Sequence, residues 1–275
     1  MIRTAVILAA GEGSRLRPAA RSKPLCPVAG RPLIDHALAG LATAGFERAI
    51  VVLGYRGDEV AQHLAARPQP LAVEIAWSDS CLPNGASVLA AAPLLGEDDA
   101  VLTMCDHLVD PALYRRVADC GAGRGLVLAI DRRIGHPWID PLDVTRVETC
   151  GDRIVAIGKE LVPYDAYDTG VFAIGGKLVA ALRSDRPLSL SEGVRVLADR
   201  GEAGVIDVSD LDWIDVDDPR ALDLAEAAWR ARVRPAPAIR LGGPTTAPAR
   251  AGSDRAVLPI ARSSSATAYR ATPPG

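Results

Sequence analysis

Two glycines, Gly11 and Gly13, end a short apolar run in the string Ala9-Ala10-Gly11-Glu12-Gly13-Ser14-Arg15-Leu16. Glycines placed after a buried strand let main-chain N–H groups approach an anion closely, so phosphate is the natural ligand of such a turn. Two familiar phosphate loops fail the comparison. A dinucleotide-binding GxGxxG needs a third glycine where Leu16 stands, and no GxxxxGK[ST] string is present. The missing glycine excludes a dehydrogenase. The four histidines, His36, His63, His107 and His136, have no spacing suited to a metal triad. Lysine is scarce, with only Lys23, Lys159 and Lys177 against 28 arginines, so the position of each lysine carries information.

The longer strings LAAGEGSRLRP and SKPLCPVAGRPLIDH resemble the signature of the nucleotidyltransferase family that makes nucleotide sugars and related NDP-activated alcohols. Further along, TMCDH, IGKEL, DTGVF and WIDVD look most like the cytidylyltransferase part of enzymes that activate inositol 1-phosphate with CTP. The resemblance implies transfer of a nucleotidyl group from an NTP, with CTP expected, to a phosphorylated polyol, releasing pyrophosphate. Such chemistry requires in-line positioning and charge compensation more than a protein nucleophile. It implies that Arg15 and Lys23 hold the triphosphate with main-chain donors from Gly11 to Ser14, the nucleotide lying along Ala9–Arg15. Asn84, Gly85 and Ser87 would meet the nucleoside, with Asn84 as a helix cap the competing reading. Asp106 and Asp215 would bind Mg²⁺. The family's metal aspartate follows Trp by two residues, which selects Asp215, but a usual glycine is replaced by Asp217, which therefore stays a candidate. Lys159 would meet the acceptor phosphate, and Asp168 would lie near its hydroxyls or support Lys159. His107 and His136 are expected to line the acceptor pocket, with His136-Pro137-Trp138 shaping specificity. A sugar-1-phosphate nucleotidyltransferase using dTTP, UTP or GTP is the alternative, and a catalytically silent regulatory subunit is the alternative of another class. The best-known relatives carry a membrane phosphotransferase domain as well. No such segment follows here, so a membrane step is expected to fall to a separate protein.

The elements that must position these residues alternate. Thr4–Ala9, Ala49–Leu53, Ala100–Cys105 and Leu126–Ile130 are continuous apolar runs, as expected of strands covered on both faces. Residues 32–44, 58–66, 86–95 and 111–120 have helical spacing, with Pro32 and Pro111 in first turns and Asp110 as a cap. This order predicts an α/β fold, a Rossmann-like, mostly parallel mixed sheet with helices on both faces. After residue 140, Asp143–Glu148 and Arg153–Gly158 read as a hairpin, Tyr167–Ile174 and Val205–Val208 as strands, and 188–200 and 218–229 as helices. Together they suggest a β-rich substrate-binding insertion.

Composition bounds the rest. The formal charge is −3, which gives no bulk attraction to nucleic acid or an anionic membrane. No apolar run reaches the length of a membrane span, no secretory leader is evident, and five scattered cysteines form no CxxC pair. The expectation is a cytoplasmic protein. No sequence feature sets an oligomeric state. Residues 231–275 hold seven arginines, seven prolines and one acid, Asp254, for a net +6, while residues 1–230 hold 24 bases and 33 acids, a net −9. The transferase domain is therefore expected over 1–230, with a disordered tail over 231–275.

Overall fold

The computed structural model describes residues 1–233. Each buried strand alternates its side chains between two apolar layers. In β1 (Thr4–Ala9), Ala5, Ile7 and Ala9 face one layer while Val6 and Leu8 face the other. The first layer is supplied by α1 (Leu33–Ala44), α2 (Gly57–Ala65) and α4 (Pro111–Cys120). The second comes from α3 (Gly85–Leu95), α5 (Gly176–Leu182) and α6 (Leu190–Asp199). A strand with apolar side chains on both faces needs such a cover on each side, and this sheet has it.

The other strands are β2 (Pro27–Val28), β3 (Arg31–Pro32), β4 (Arg48–Leu53), β5 (Ala72–Trp77), β6 (Ala100–Met104), β7 (His107–Val109), β8 (Leu126–Asp131), β9 (Arg146–Cys150), β10 (Arg153–Gly158), β11 (Ala166–Ile174), β12 (Ala203–Asp207) and β13 (Trp213–Asp215). Eight of these and β1 form one sheet in the order β5-β4-β1-β6-β11-β8-β12-β10-β9. Pairing is parallel from β5 to β6 and between β8 and β12, and antiparallel on both sides of β11. The protein is thus α/β with a mixed sheet and helices on both faces. The β-rich stretch after residue 140 continues this sheet: β9 pairs with both β10 and the start of β11, so the last five strands close into a ring. The expected turn at Gly151-Asp152 joins β9 to β10, with Cys150 opposite Arg153.

Several boundaries differ from the sequence reading. Strand β5 was not expected, and it lies parallel at the sheet edge. Strand β9 begins at Arg146, not Asp143, because Asp143 and Val144 turn back to donate their N–H groups to the Asp140 carbonyl. Pro32 precedes α1 with ψ 145°, outside the helix, while Asp110 caps α4 as expected, its side chain accepting from Ala112 N–H.

A third, smaller core forms around Leu16, Cys26, Val28, Leu33, Leu108, Ile214 and Val216. It pins the glycine loop, the β2–β3 hairpin, β7 and β13 together. Full burial of Leu16 alone contributes about 1.5–3 kcal/mol by the usual area relation. The helix α7 (Pro219–Val233) adds Ala225 to this core. It runs through Val233, and the remainder of the expected tail, 234–275, lies outside the described residues. No helix among the described residues is long and apolar enough to cross a membrane.

Candidate active site

The glycine loop is shaped to seat a lysine. Gly13 takes φ +56°, a conformation that side chains disfavour, and a Cβ there would lie 2.4 Å from Lys23 Cβ. The loop closes on itself through Leu16 N–H to the Gly13 carbonyl (3.1 Å), and Tyr55 N–H donates to the Ala10 carbonyl at its base (3.0 Å). Lys23 is 8% exposed and its Nζ contacts Asp106 and Asp217. Burial pulls the ammonium pKa down, but Asp106 and Asp215 more than offset this and raise it, so Lys23 stays cationic. Arg15 places Nη2 on Asp143 (2.6 Å) and on Asp217.

Asp106 follows the C-terminal end of β6, the edge where ligands collect in open α/β sheets. A short antiparallel ladder between β7 and β13 sets His107 opposite Asp215, and Val216 N–H donates to the Asp106 carbonyl (3.0 Å). Trp213 anchors this ladder: its indole N–H donates to buried Asp131 (2.8 Å), which also holds Arg133. The Oδ1 atoms of Asp106 and Asp215 are both buried with no hydrogen-bond partner. Unpartnered buried carboxylate oxygens are costly unless a cation meets them, so this pair fits a divalent ion. Asp217 differs, since one of its oxygens is taken by Lys23 and the other by Arg15. Carboxylate atoms of Asp143, Asp215 and Asp217 also lie within 4.8 Å of one another.

Beside these two carboxylates sits His107, with Nε2 3.5 Å from Asp215 and 3.8 Å from Asp106, and with Nδ1–H donating to the Thr169 carbonyl (2.7 Å). Burial pulls the imidazole pKa down, yet Asp215 and then Asp106 push it up to about 9. Burial likewise pushes the Asp106 carboxyl up, and Lys23 and His107 bring it below the ordinary carboxylate value.

One cavity collects Arg15, Asn84, His107, Lys159, Asp168 and Asp215 of the expected residues. Trp138, Asp143 and Asp217 are also in its wall. Lys159, just past β10, contacts Asp143, so Asp168 does not support it. Asp168 instead accepts from Gly170 N–H (2.7 Å). Desolvation pushes its carboxyl up to about 6. Residues 9–14, Lys23, Gly85, Ser87, Asp106 and His136 do not line it, although Lys23 Nζ contacts Asp217 of the wall. Gly85 packs against the Leu188 carbonyl, and Ser87 is buried with its hydroxyl donating to Ser78 Oγ (3.2 Å). His136 accepts from Trp138 N–H through Nδ1 (3.3 Å) and meets that ring edge-on, leaving Trp138 to reach the cavity. Asn84 precedes α3 without capping it, since its side-chain oxygen accepts from Leu190 N–H (2.8 Å).

The sequence reading missed Asp143, which bridges Arg15 and Lys159, and Asp131, which holds Trp213. No local pattern marks either. His107 was placed at the acceptor pocket but not at the carboxylates; its adjacency to Asp106 was the available signal.

A glycine turn at the end of β1 and a carboxylate pair beside β6, on a sheet that reverses direction at β11, are the features of an α/β nucleotidyltransferase. Residues 5–155 match the MobA-like NTP transferase domain, and the chain belongs to that family. A "Bifunctional IPC transferase and DIPP synthase" of Rubrobacter xylanophilus is 39% identical over 81% of this chain and 51% of its own length. The protein of the same name from Aquifex aeolicus is 31% identical over 82% of this chain and 51% of its own. The chain therefore spans about half the length of these curated relatives. The solved inositol-1-phosphate CTP transferase from T. maritima superposes with a TM-score of 0.72 at 25% identity, over 84% of this chain and 97% of that one. A UDP-glucose pyrophosphorylase complexed with UDP-glucose shares the fold, with a TM-score of 0.68 at 14% identity over 84% of this chain and all of the other.

Proposed function

We propose that this protein is a cytidylyltransferase that joins CTP to inositol 1-phosphate and releases pyrophosphate. The observation that carries the reading is one cavity lined by the loop cation Arg15, by Lys159 and by the carboxylate of Asp215. The match to the T. maritima transferase over 84% of the chain supports CTP and inositol 1-phosphate as the substrate pair. In this reading an acceptor phosphate oxygen attacks the α-phosphorus, the bond from that phosphorus to the bridging oxygen breaks, and pyrophosphate leaves with the electron pair. Arg15 and Lys23 hold the β- and γ-phosphates, assisted by main-chain N–H groups of Gly11 to Ser14. Arginine offers a planar fork and lysine a point charge, so they serve different oxygens. Lys159 holds the acceptor phosphate, and Asp168, kept partly protonated near pH 6 by its enclosure, meets the acceptor hydroxyls.

At rest these cations are paired with Asp143 and Asp217. Substrate phosphates would exchange with these carboxylates, so no buried cation is left bare during entry. Asp106 and Asp215 would hold Mg²⁺, which when bound supplies charge neutralisation at the α-phosphate.

Pyrophosphate release measured with each NTP against inositol, glucose, mannose and choline phosphates tests the substrate pair. CTP with inositol 1-phosphate is expected to give the highest kcat/KM, and no turnover of CTP with any acceptor would refute the assignment. Asp106→Asn is expected to lower release by at least about 10²-fold, the scale of losing one electrostatic group in a closed site, with unchanged circular dichroism.

A further inference from the structure

The imidazole of His107 has a geometry that its position in the chain does not require. Its Nδ1–H is committed to the Thr169 carbonyl at 2.7 Å, which leaves Nε2 facing the two carboxylates. The ring cannot turn away. Trp213 stacks on it with centroids 5.8 Å apart and planes 26° from parallel. On its edge, Gly170 has φ +74°, and a Cβ there would lie 2.4 Å from both Cε1 and Nδ1. A histidine with one nitrogen fixed by a backbone carbonyl and the other aimed at carboxylates is arranged as metal-binding histidines are. The separations of 3.5 Å and 3.8 Å from Nε2 to Asp215 and Asp106 suit groups sharing one ion, because ligand atoms around an ion at about 2.1 Å lie roughly 3 Å apart. Ligand atoms from all three residues fall within 4.8 Å of one another.

We propose that His107 is a third protein ligand to the divalent cation held by Asp106 and Asp215. This rests on the reading of those two carboxylates as the cation site. The consequence is selectivity. Two carboxylates with phosphates and water suit magnesium, whereas an added imidazole nitrogen raises affinity for first-row transition ions relative to magnesium. The site would then be loaded by manganese or a later ion at concentrations where magnesium binds weakly.

Manganese itself is a spectroscopic probe of this claim. The metal-free full chain, given less than one equivalent of Mn²⁺, would be examined by electron spin-echo modulation for coupling to a directly bonded nitrogen. Nitrogen coupling is expected in the wild type and its loss in His107→Gln. Competition titrations should show that variant binding Mn²⁺ about 10- to 100-fold more weakly, the range seen when a supporting contact of a metal site is removed, with a smaller loss for Mg²⁺. Mn²⁺ that binds, is weakened by Asp106→Asn and shows no nitrogen coupling in the wild type would overturn the role of His107 while leaving the carboxylate pair standing. Absence of Mn²⁺ binding, or binding indifferent to Asp106→Asn, would remove both. The wild-type spectrum decides the matter even if a variant folds poorly.

Discussion

Asp217 stands where the resemblance leads one to expect glycine, and it engages both Lys23 and Arg15. If those cations receive phosphate, Asp217 competes with the nucleotide for them. Asp217→Gly is therefore expected to tighten CTP binding by about tenfold, equivalent to about 1.4 kcal/mol, measured by calorimetry. Weaker binding in that variant would instead make Asp217 a cation ligand. Lys23, Asp106 and Lys159 could be singled out as candidates in the sequence because each sits inside a string with a recognisable order. Asp143 was not, because the chain from residue 15 to residue 143 must fold before its carboxylate meets Arg15. Ser87 was misread for a related reason: whether a hydroxyl faces a ligand or a neighbouring serine is decided by helix rotation, which spacing alone does not fix.

At the level of elements, α6 carries the clearest local signal. Ser189 and Glu192 form a capping box in which each side chain serves the other's backbone N–H. Ser189→Ala is expected to cost about 0.5–2 kcal/mol in denaturant unfolding. Arg186, with Ser189, holds the Glu192 carboxyl down to about 2, well below its unfolded value near 4.3. The sign follows from linkage. Because the folded pKa is the lower one, the stabilisation is present above about pH 4.3 and is lost as pH falls toward 2. Amide exchange within residues 190–199 should accelerate across that window in the wild type and change less in Glu192→Gln. The long buried strands were read from composition because continuous apolar runs need cover on both faces. The ladder of β7 with β13 escaped, since two three-residue strands show no period. Edge strand β5 escaped too, although Val73 and Ile75 alternate with polar or small residues as a half-exposed edge requires.

For the whole molecule, the charge balance argues about how an anion is admitted. Residues 1–230 carry −9, and the cavity wall holds Asp140, Asp143, Asp168, Asp215, Asp217 and Asp218 against Arg15, Lys159 and Arg220. A free nucleoside triphosphate meets net repulsion there, so long-range attraction contributes little and a bound cation is required. Removing divalent ions with a chelator is expected to weaken CTP binding by at least about tenfold, or about 1.4 kcal/mol, in the same calorimetric assay. Equal affinity with and without cation would contradict this. The central claim concerns bond formation, and ³¹P resonance reads it directly. With CTP, inositol 1-phosphate and a divalent ion, the protein should produce the paired doublets of a mixed diphosphate together with free pyrophosphate in equal amount. A spectrum that keeps CTP intact, or shows CTP hydrolysed while inositol 1-phosphate is unchanged, would contradict it.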